Sequence, residues 1–291
     1  MTDLYLYKGH DDHVASCPDC SAVTALLDRP DPPVEPPASL REAVLTLARR
    51  RRGPAAVAVS SVATPYAEQV AAMDDLLREL GEPQWEATVP RHGTVRELVE
   101  HLAANDAAVA CFMGVPGTAA ATAHRRWREQ AGALLERFSG SSEVLLGVEV
   151  ALAGPRPARA PLRQALIQRT FETWTHADDI RAATGRPASP PRPGHVRMIA
   201  DFGLALLPRA ATAPRRDVSA TVVLTGPGGG SWTIALSPAS DHVGVLISAD
   251  AVEFCRLLAG RWPPEAFPYA AEGDPGLARD LVRAAATLGC D

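Results

Sequence analysis

Lysine is almost absent from this chain of 291 residues, since Lys8 is the only one and nearly every basic residue is an arginine. This preference, with the many alanines and prolines, is typical of high-GC bacterial genomes. Excess positive charge is absent as well, because the formal net charge is −5. Nucleic-acid-binding proteins present basic stripes. We therefore expect no nucleic-acid partner.

Long apolar runs are also missing. No stretch of about 18 consecutive apolar residues occurs, so we expect no membrane span. Residues 1–5 lack the basic and apolar regions of a secretory signal. We expect a cytoplasmic protein, in which thiols are mostly reduced.

Cysteines are few, and only Cys17 and Cys20 are close in sequence; the others are Cys111, Cys255 and Cys290. This distribution argues against a disulfide framework and favours a local metal or redox pair.

Proline-rich segments at 29–37, 185–194 and 208–216 interrupt the regular patterns. They predict three parts: a short N-terminal zinc-finger-like helical module (1–55), a helix bundle (62–208) and a small α+β domain (215–291). The expected fold class is therefore multidomain, α and α+β.

Apolar residues at helical spacing predict four helices in the middle part, at 65–80, from Thr94 onwards, at 119–138 and from Pro161 to Gly185. Thr94 and Glu97 form the pattern of a capping box. Four such helices with modest connections indicate an antiparallel bundle.

The pattern changes to strands near the C-terminus. Residues 218–224 and 232–236 alternate on either side of a glycine-rich turn at 226–230, which predicts a hairpin. A third strand is expected at 242–248, followed by helices at about 249–260 and 275–288.

The fourth predicted helix carries Glu172 and His176, four residues apart and so on one face. Such a pair can hold one metal ion, or it can be an exposed ion pair. His101 lies beside the apolar stripe of the second helix. It is either a histidine satisfied at the edge of the core or a third ligand, which would complete an open, catalytic form of zinc site.

Two segments resemble the DinB-like, metal-dependent thiol S-transferases that include mycothiol-dependent maleylpyruvate isomerases. Residues 93–103 resemble the family segment W-T-V-R-D-L-V-A-H-L, preceded by a tryptophan at Trp85. Residues 172–185 resemble its E-x-x-x-H-x-x-D-x-x-x-A-x-G helix. The resemblance runs from about Val62 to the end, including residues 257–261 and 273–278. One departure is residues 89–93, where the family has Cys-Pro-Gly-Trp, and it bears on the substrate.

The resemblance implies a divalent metal, such as zinc, held by His101, Glu172 and His176, with mycothiol as the thiol cosubstrate. A metal with an open position lowers the pKa of a bound thiol and makes it a nucleophile. Addition to a small electrophile then leads to conjugation or isomerisation. Arg261 is either a catalytic clamp for a substrate carboxylate or a surface arginine.

A second group of metal-binding residue types lies near the N-terminus and contains His13, Cys17 and Cys20, with His10 or Asp11 as a further candidate ligand. The spacing resembles zinc-binding anti-sigma factors, which implies a sigma factor as a partner. Structural zinc, an unmetallated Cys17–Cys20 redox pair and an inert remnant all stay open. The sequence thus predicts a zinc- and mycothiol-dependent S-transferase or isomerase; the alternative is a regulatory or redox-sensing protein without turnover.

Overall fold

The computed structural model describes residues 8–27, 38–51, 59, 61–139, 143–153, 158–211, 217–237 and 242–289. The chain divides into two compact units, Met1–Gly53 and Pro54–Asp291. The smaller unit contains helices α1 (Lys8–Ser16), α2 (Pro18–Leu27) and α3 (Ala38–Arg51). The connector predicted at 29–37 lies outside the described residues. Several apolar side chains of this unit are exposed: Val23, Leu27, Leu40, Val44, Leu45 and Leu47.

The first part of the larger unit is mainly helical: α4 (Thr64–Arg78), α5 (Glu82–Trp85), α6 (Val95–Phe112), α7 (Ala123–Ser139), α8 (Glu143–Leu146) and α9 (Leu162–Ala183). The four long helices predicted here are confirmed, with ends shifted by up to four residues. α6 packs on α7 and α9, and α4 packs on the same two helices. Their apolar stripes meet in a first hydrophobic cluster. Two small hairpins were not predicted: β1 (Thr88–Val89) with β2 (Gly93–Thr94), and β3 (Glu149–Leu152) with β4 (Ala158–Pro161).

The predicted capping box fixes the start of α6. The hydroxyl of Thr94 accepts a hydrogen bond from the Glu97 backbone N–H at 3.2 Å, and Oε2 of Glu97 accepts one from the Thr94 N–H at 2.7 Å. Both backbone donors at this helix end are thereby satisfied.

The second part consists of α10 (Pro193–Ala210), a four-stranded sheet and two more helices. The strands β5 (Val218–Thr225), β6 (Gly230–Ala235), β7 (His242–Asp250) and β8 (Ala270–Gly273) have the order β6-β5-β7-β8. The β5–β6 hairpin is antiparallel as predicted, β5 and β7 are parallel, and β8 pairs antiparallel with β7. α10, α11 (Ala251–Leu258) and α12 (Pro275–Ala285) cover the second hydrophobic cluster.

Helix α10 also differs from the sequence analysis. The third break was expected to start at Pro208, but Pro208 lies inside α10, two residues before the helix ends. Proline has no backbone N–H, so a proline so near the end of a helix removes one hydrogen bond from its last turns and leaves the rest of the helix intact. Residues 212–216 lie outside the described residues. α10 itself was not predicted.

Helix α9 connects the two clusters. Ala165 and Ile180 belong to the first cluster, and Phe171 and Trp174 belong to the second. Most of α9 is therefore buried, and it ends before Gly185, which has a φ of 67°. The boundary predicted at 208–215 stays a prediction. Among the described helices, none is long and apolar enough to cross a membrane.

Candidate metal centre

The packing of α6 on α9 brings the three predicted ligands together. Each of His101, Glu172 and His176 has a donor atom within 4.8 Å of those of the other two. Glu172 is 1% exposed and His176 is 0% exposed, so the alternative of an exposed ion pair is wrong.

His176 is oriented by a carboxylate. Its Nδ1 lies 3.1 Å from Oδ2 of Asp179. In the tautomer with the proton on Nδ1, this carboxylate accepts that proton and the ring's lone pair is on Nε2. Arg261 holds Asp179 through Nε, 3.2 Å from Oδ1, and through Nη2, which also lies 3.2 Å from His176 Nδ1. Burial opposes ionisation of Asp179, but these two partners outweigh it and keep its pKa below the ordinary value.

Glu172 is held by two side chains. Arg169, which is fully buried, donates from Nη2 to Glu172 Oε1. Asn105 donates from Nδ2 to Glu172 Oε2 at 3.1 Å and lies 3.1 Å from His101 Nε2. Asn105 thus links two candidate metal ligands, His101 on α6 and Glu172 on α9.

A buried polar group lies behind Glu172. Asp106 accepts a hydrogen bond from the Tyr66 hydroxyl at 2.8 Å and lies 3.8 Å from Nη1 of Arg169. Burial raises the pKa of Asp106 to about 7, although Arg169 and Tyr66 act against this shift. Burial and the neighbouring Asp106 raise the pKa of Tyr66. The buried guanidinium of Arg169 therefore lies between two carboxyl groups, those of Glu172 and Asp106.

Sequence reasoning did not identify Asn105, Asp106 or Arg169. The available signal was their spacing: Asn105 follows His101 by four residues, and Arg169 precedes Glu172 by three. Both spacings place side chains on one helix face. A further histidine, His92, has its ring 5.0 Å from that of His101 and 4.8 Å from that of His176, measured between centroids.

The donor set fits a divalent metal such as zinc. Two imidazoles and one carboxylate are the ligands of several catalytic zinc sites, which have three protein ligands and one open position. The Asp179 carboxylate on His176 is the partner that a metal-ligating histidine usually has. Glu172 and His176 are buried, His101 is half-buried, and the three donor atoms already lie together, so no large rearrangement is needed to bring the ligands together.

The N-terminal candidates also lie together. Donor atoms of His13, Cys17 and Cys20 lie within 4.8 Å of one another, and Cys20 Sγ is 3.5 Å from His13 Nε2. Hydrogen bonds from the Cys20 backbone, the Cys20 thiol and the Asp19 backbone lower the pKa of Cys17. A lowered pKa favours the thiolate, the form that binds zinc. The side chains of His10 and Asp11 lie outside the described residues.

Comparison with known proteins shows a likeness in fold. Two crystal structures of mycothiol-dependent maleylpyruvate isomerase, one of a histidine-to-alanine mutant, match with a TM-score of 0.50 each. They are 16% and 15% identical to this chain, and each match covers 74% of this chain and 93% of the isomerase. No protein-family model and no curated protein sequence matches the chain. The mixed helical fold with small sheets is therefore similar to that of the isomerase, as the sequence resemblance implied.

Proposed function

We propose that this protein is a divalent-metal-dependent enzyme that uses a low-molecular-weight thiol, as an S-transferase or isomerase acting on a small electrophile. The observation that carries the proposal is the cluster of His101, Glu172 and His176, largely buried, in a chain whose fold is similar to that of a mycothiol-dependent isomerase. Mycothiol is the proposed cosubstrate and zinc the proposed metal. The helices α4, α6, α7 and α9 form the proposed DinB-like bundle.

The protein's own residues would hold and orient the reacting groups. Bound at the cluster, the metal ion would lower the pKa of a coordinated thiol and so supply a nucleophile at neutral pH. By accepting the Nδ1 proton, Asp179 would leave the Nε2 lone pair of His176 available to the metal. Arg169 holds Oε1 of Glu172, and Asn105 holds Oε2. The burial of Glu172 and His176 excludes bulk water, which strengthens the electrostatic effects of all these groups.

Arg261 has a positioning role in this proposal. Its guanidinium forms two contacts with Asp179, and its side chain is 19% exposed. It therefore acts on His176 through Asp179. The role of Arg261 as a clamp for a substrate carboxylate stays a prediction, which a rise in KM of Arg261→Lys with little change in kcat would support.

The test is thiol-dependent turnover. The purified protein is incubated with zinc, a small thiol and an electrophilic cis-unsaturated acid. Conjugation is followed as loss of the thiol and of the double bond, and isomerisation as conversion of the cis acid to the trans acid. We expect turnover that requires both thiol and metal, rises with pH as the thiol ionises, and is lost in His101→Ala. Full turnover without thiol would overturn the proposal and point to metal-assisted hydrolysis.

A second candidate function concerns the N-terminal unit. The cluster of His13, Cys17 and Cys20, together with exposed apolar side chains on α2 and α3, favours a zinc-stapled module that binds a sigma factor. The test is binding to the sigma factors of the source organism. We expect wild type to bind one of them and Cys17→Ser/Cys20→Ser to lose that binding; no binding by wild type would reject this function.

A further inference from the structure

We infer that His92 is a fourth protein ligand of the same metal, which makes the centre a three-histidine, one-carboxylate site. This inference rests on the proposed metal-dependent function. It concerns a residue that lies where the resembling family has a different sequence, so the family's ligand set does not include it.

The backbone that carries His92 has an unusual conformation. His92 lies in the tight turn between β1 and β2, and its N–H donates to the Val89 carbonyl at 3.2 Å. The residues on both sides have positive φ angles, 71° for Arg91 and 80° for Gly93. A residue other than glycine is rarely found at such an angle, and this strain is typical of positions with a functional role.

The turn between β1 and β2 has close neighbours on both of its sides. A side chain at Gly93 would have its Cβ 2.2 Å from Oε2 of Glu97, the carboxylate that caps α6. On the other side, Arg91 Nη2 donates to the Gly260 carbonyl at 2.9 Å, directly before Arg261. The turn is thus held between the start of α6 and the segment that orients Asp179 and His176.

The three histidine rings are spaced as ligands of one zinc ion would be. The centroid distances are 5.0 Å for His92–His101, 4.8 Å for His92–His176 and 5.5 Å for His101–His176. Zinc–nitrogen bonds are about 2.0 Å long, which places a ring centroid roughly 3.2 Å from the ion, and two such centroids at a tetrahedral angle are about 5 Å apart. All three pairs agree with this value.

Imidazole nitrogen is the commonest protein ligand of zinc. With Glu172, the three imidazoles offer three neutral nitrogen ligands and one anionic oxygen ligand, and zinc accepts both types. Zinc can also take a fifth ligand, so a thiol could coordinate beside these four residues.

The test is the affinity for Zn²⁺, measured by competition with a chelator, together with the visible spectrum of the Co²⁺-loaded protein. All variants carry Cys17→Ser and Cys20→Ser, so that the N-terminal cluster does not contribute. The variant His92→Phe keeps an aromatic ring but has no donor nitrogen. His124→Phe is the matched control, because His124 packs against Trp85 and Asp74 rather than against the cluster.

We expect His92→Phe to bind Zn²⁺ at least about tenfold more weakly and to change the Co²⁺ spectrum, while His124→Phe does neither. Unchanged affinity and spectrum in His92→Phe would show that the three rings only pack together, and would overturn this inference alone. Failure of the parent protein to bind metal, or binding that survives His101→Ala, would instead overturn the metal site of the proposed function.

Discussion

Asp106 should make the stability of the protein decrease as the pH rises. Its carboxyl group is fully buried between Tyr66 and Arg169, and burial raises its pKa from 3.8 to about 7. In the unfolded chain the group ionises near pH 4. Between about pH 4 and about pH 7, the folded state keeps a proton on Asp106 that the unfolded state has released. The stability that this proton gives is fully present below pH 4 and is lost as the pH rises through 7.

The size of the effect follows from the shift. Each pKa unit corresponds to about 1.4 kcal/mol, so the free energy of unfolding should fall by roughly 2–3 kcal/mol from about pH 5 to about pH 8 because of Asp106 alone. Asp106→Asn is uncharged throughout and keeps an oxygen that can accept the Tyr66 hydrogen bond. Its stability should therefore lack this component of the pH dependence.

The assay is urea unfolding of wild type and Asp106→Asn at both pH values, with a chelator present because a bound ion would change the field around Glu172. Asp75→Asn, at an exposed position of α4, is the matched control and should follow wild type. The variant should gain stability relative to wild type by roughly 2–3 kcal/mol as the pH is raised. An equal difference at both pH values would refute the reasoning.

Three further changes test other parts of the structure. Arg169→Met leaves Glu172 buried without its cation and should destabilise the protein by about 3–5 kcal/mol in urea unfolding; an unchanged midpoint would contradict this. Asp179→Asn should weaken metal binding about 10- to 100-fold because the acceptor beside His176 loses its negative charge, and equal affinity in a chelator competition would reject that role. Cys17→Ser/Cys20→Ser should lose about one zinc equivalent and expose the N-terminal unit to protease, whereas retained zinc and unchanged digestion would indicate an inert remnant.

Local patterns in the sequence predicted much of the fold. The capping box of Thr94 and Glu97, the glycine-rich turn between β5 and β6 and the apolar stripes of the long helices each depend on residues close in sequence. α10 was not predicted because prolines at 190–193 and at Pro208 suggested breaks. The structure uses Pro193 as the first residue of the helix, where its missing N–H costs nothing.

The site was predictable only in part, because only some of its contacts join residues that are close in sequence. Glu172 and His176 share one helix face, so their spacing made them candidates, and the position of His101 made it a possible third ligand. The family resemblance then assigned all three as metal ligands. The contacts of Asn105 with Glu172 and of Arg261 with Asp179 join residues 67 and 82 positions apart. Such contacts depend on how helices pack, which no local pattern records. The approach of His92 to both histidines is likewise a product of the turn and its anchors.

The central claim is that His101, Glu172 and His176 hold a divalent metal, and the metal content of the purified protein tests it most directly. In a background of Cys17→Ser and Cys20→Ser, elemental analysis should find about one equivalent of metal per chain. That equivalent should be lost on adding His101→Ala, Glu172→Gln or His176→Ala, and should be retained in the control His124→Ala. Equal metal content in all of these variants would contradict the account.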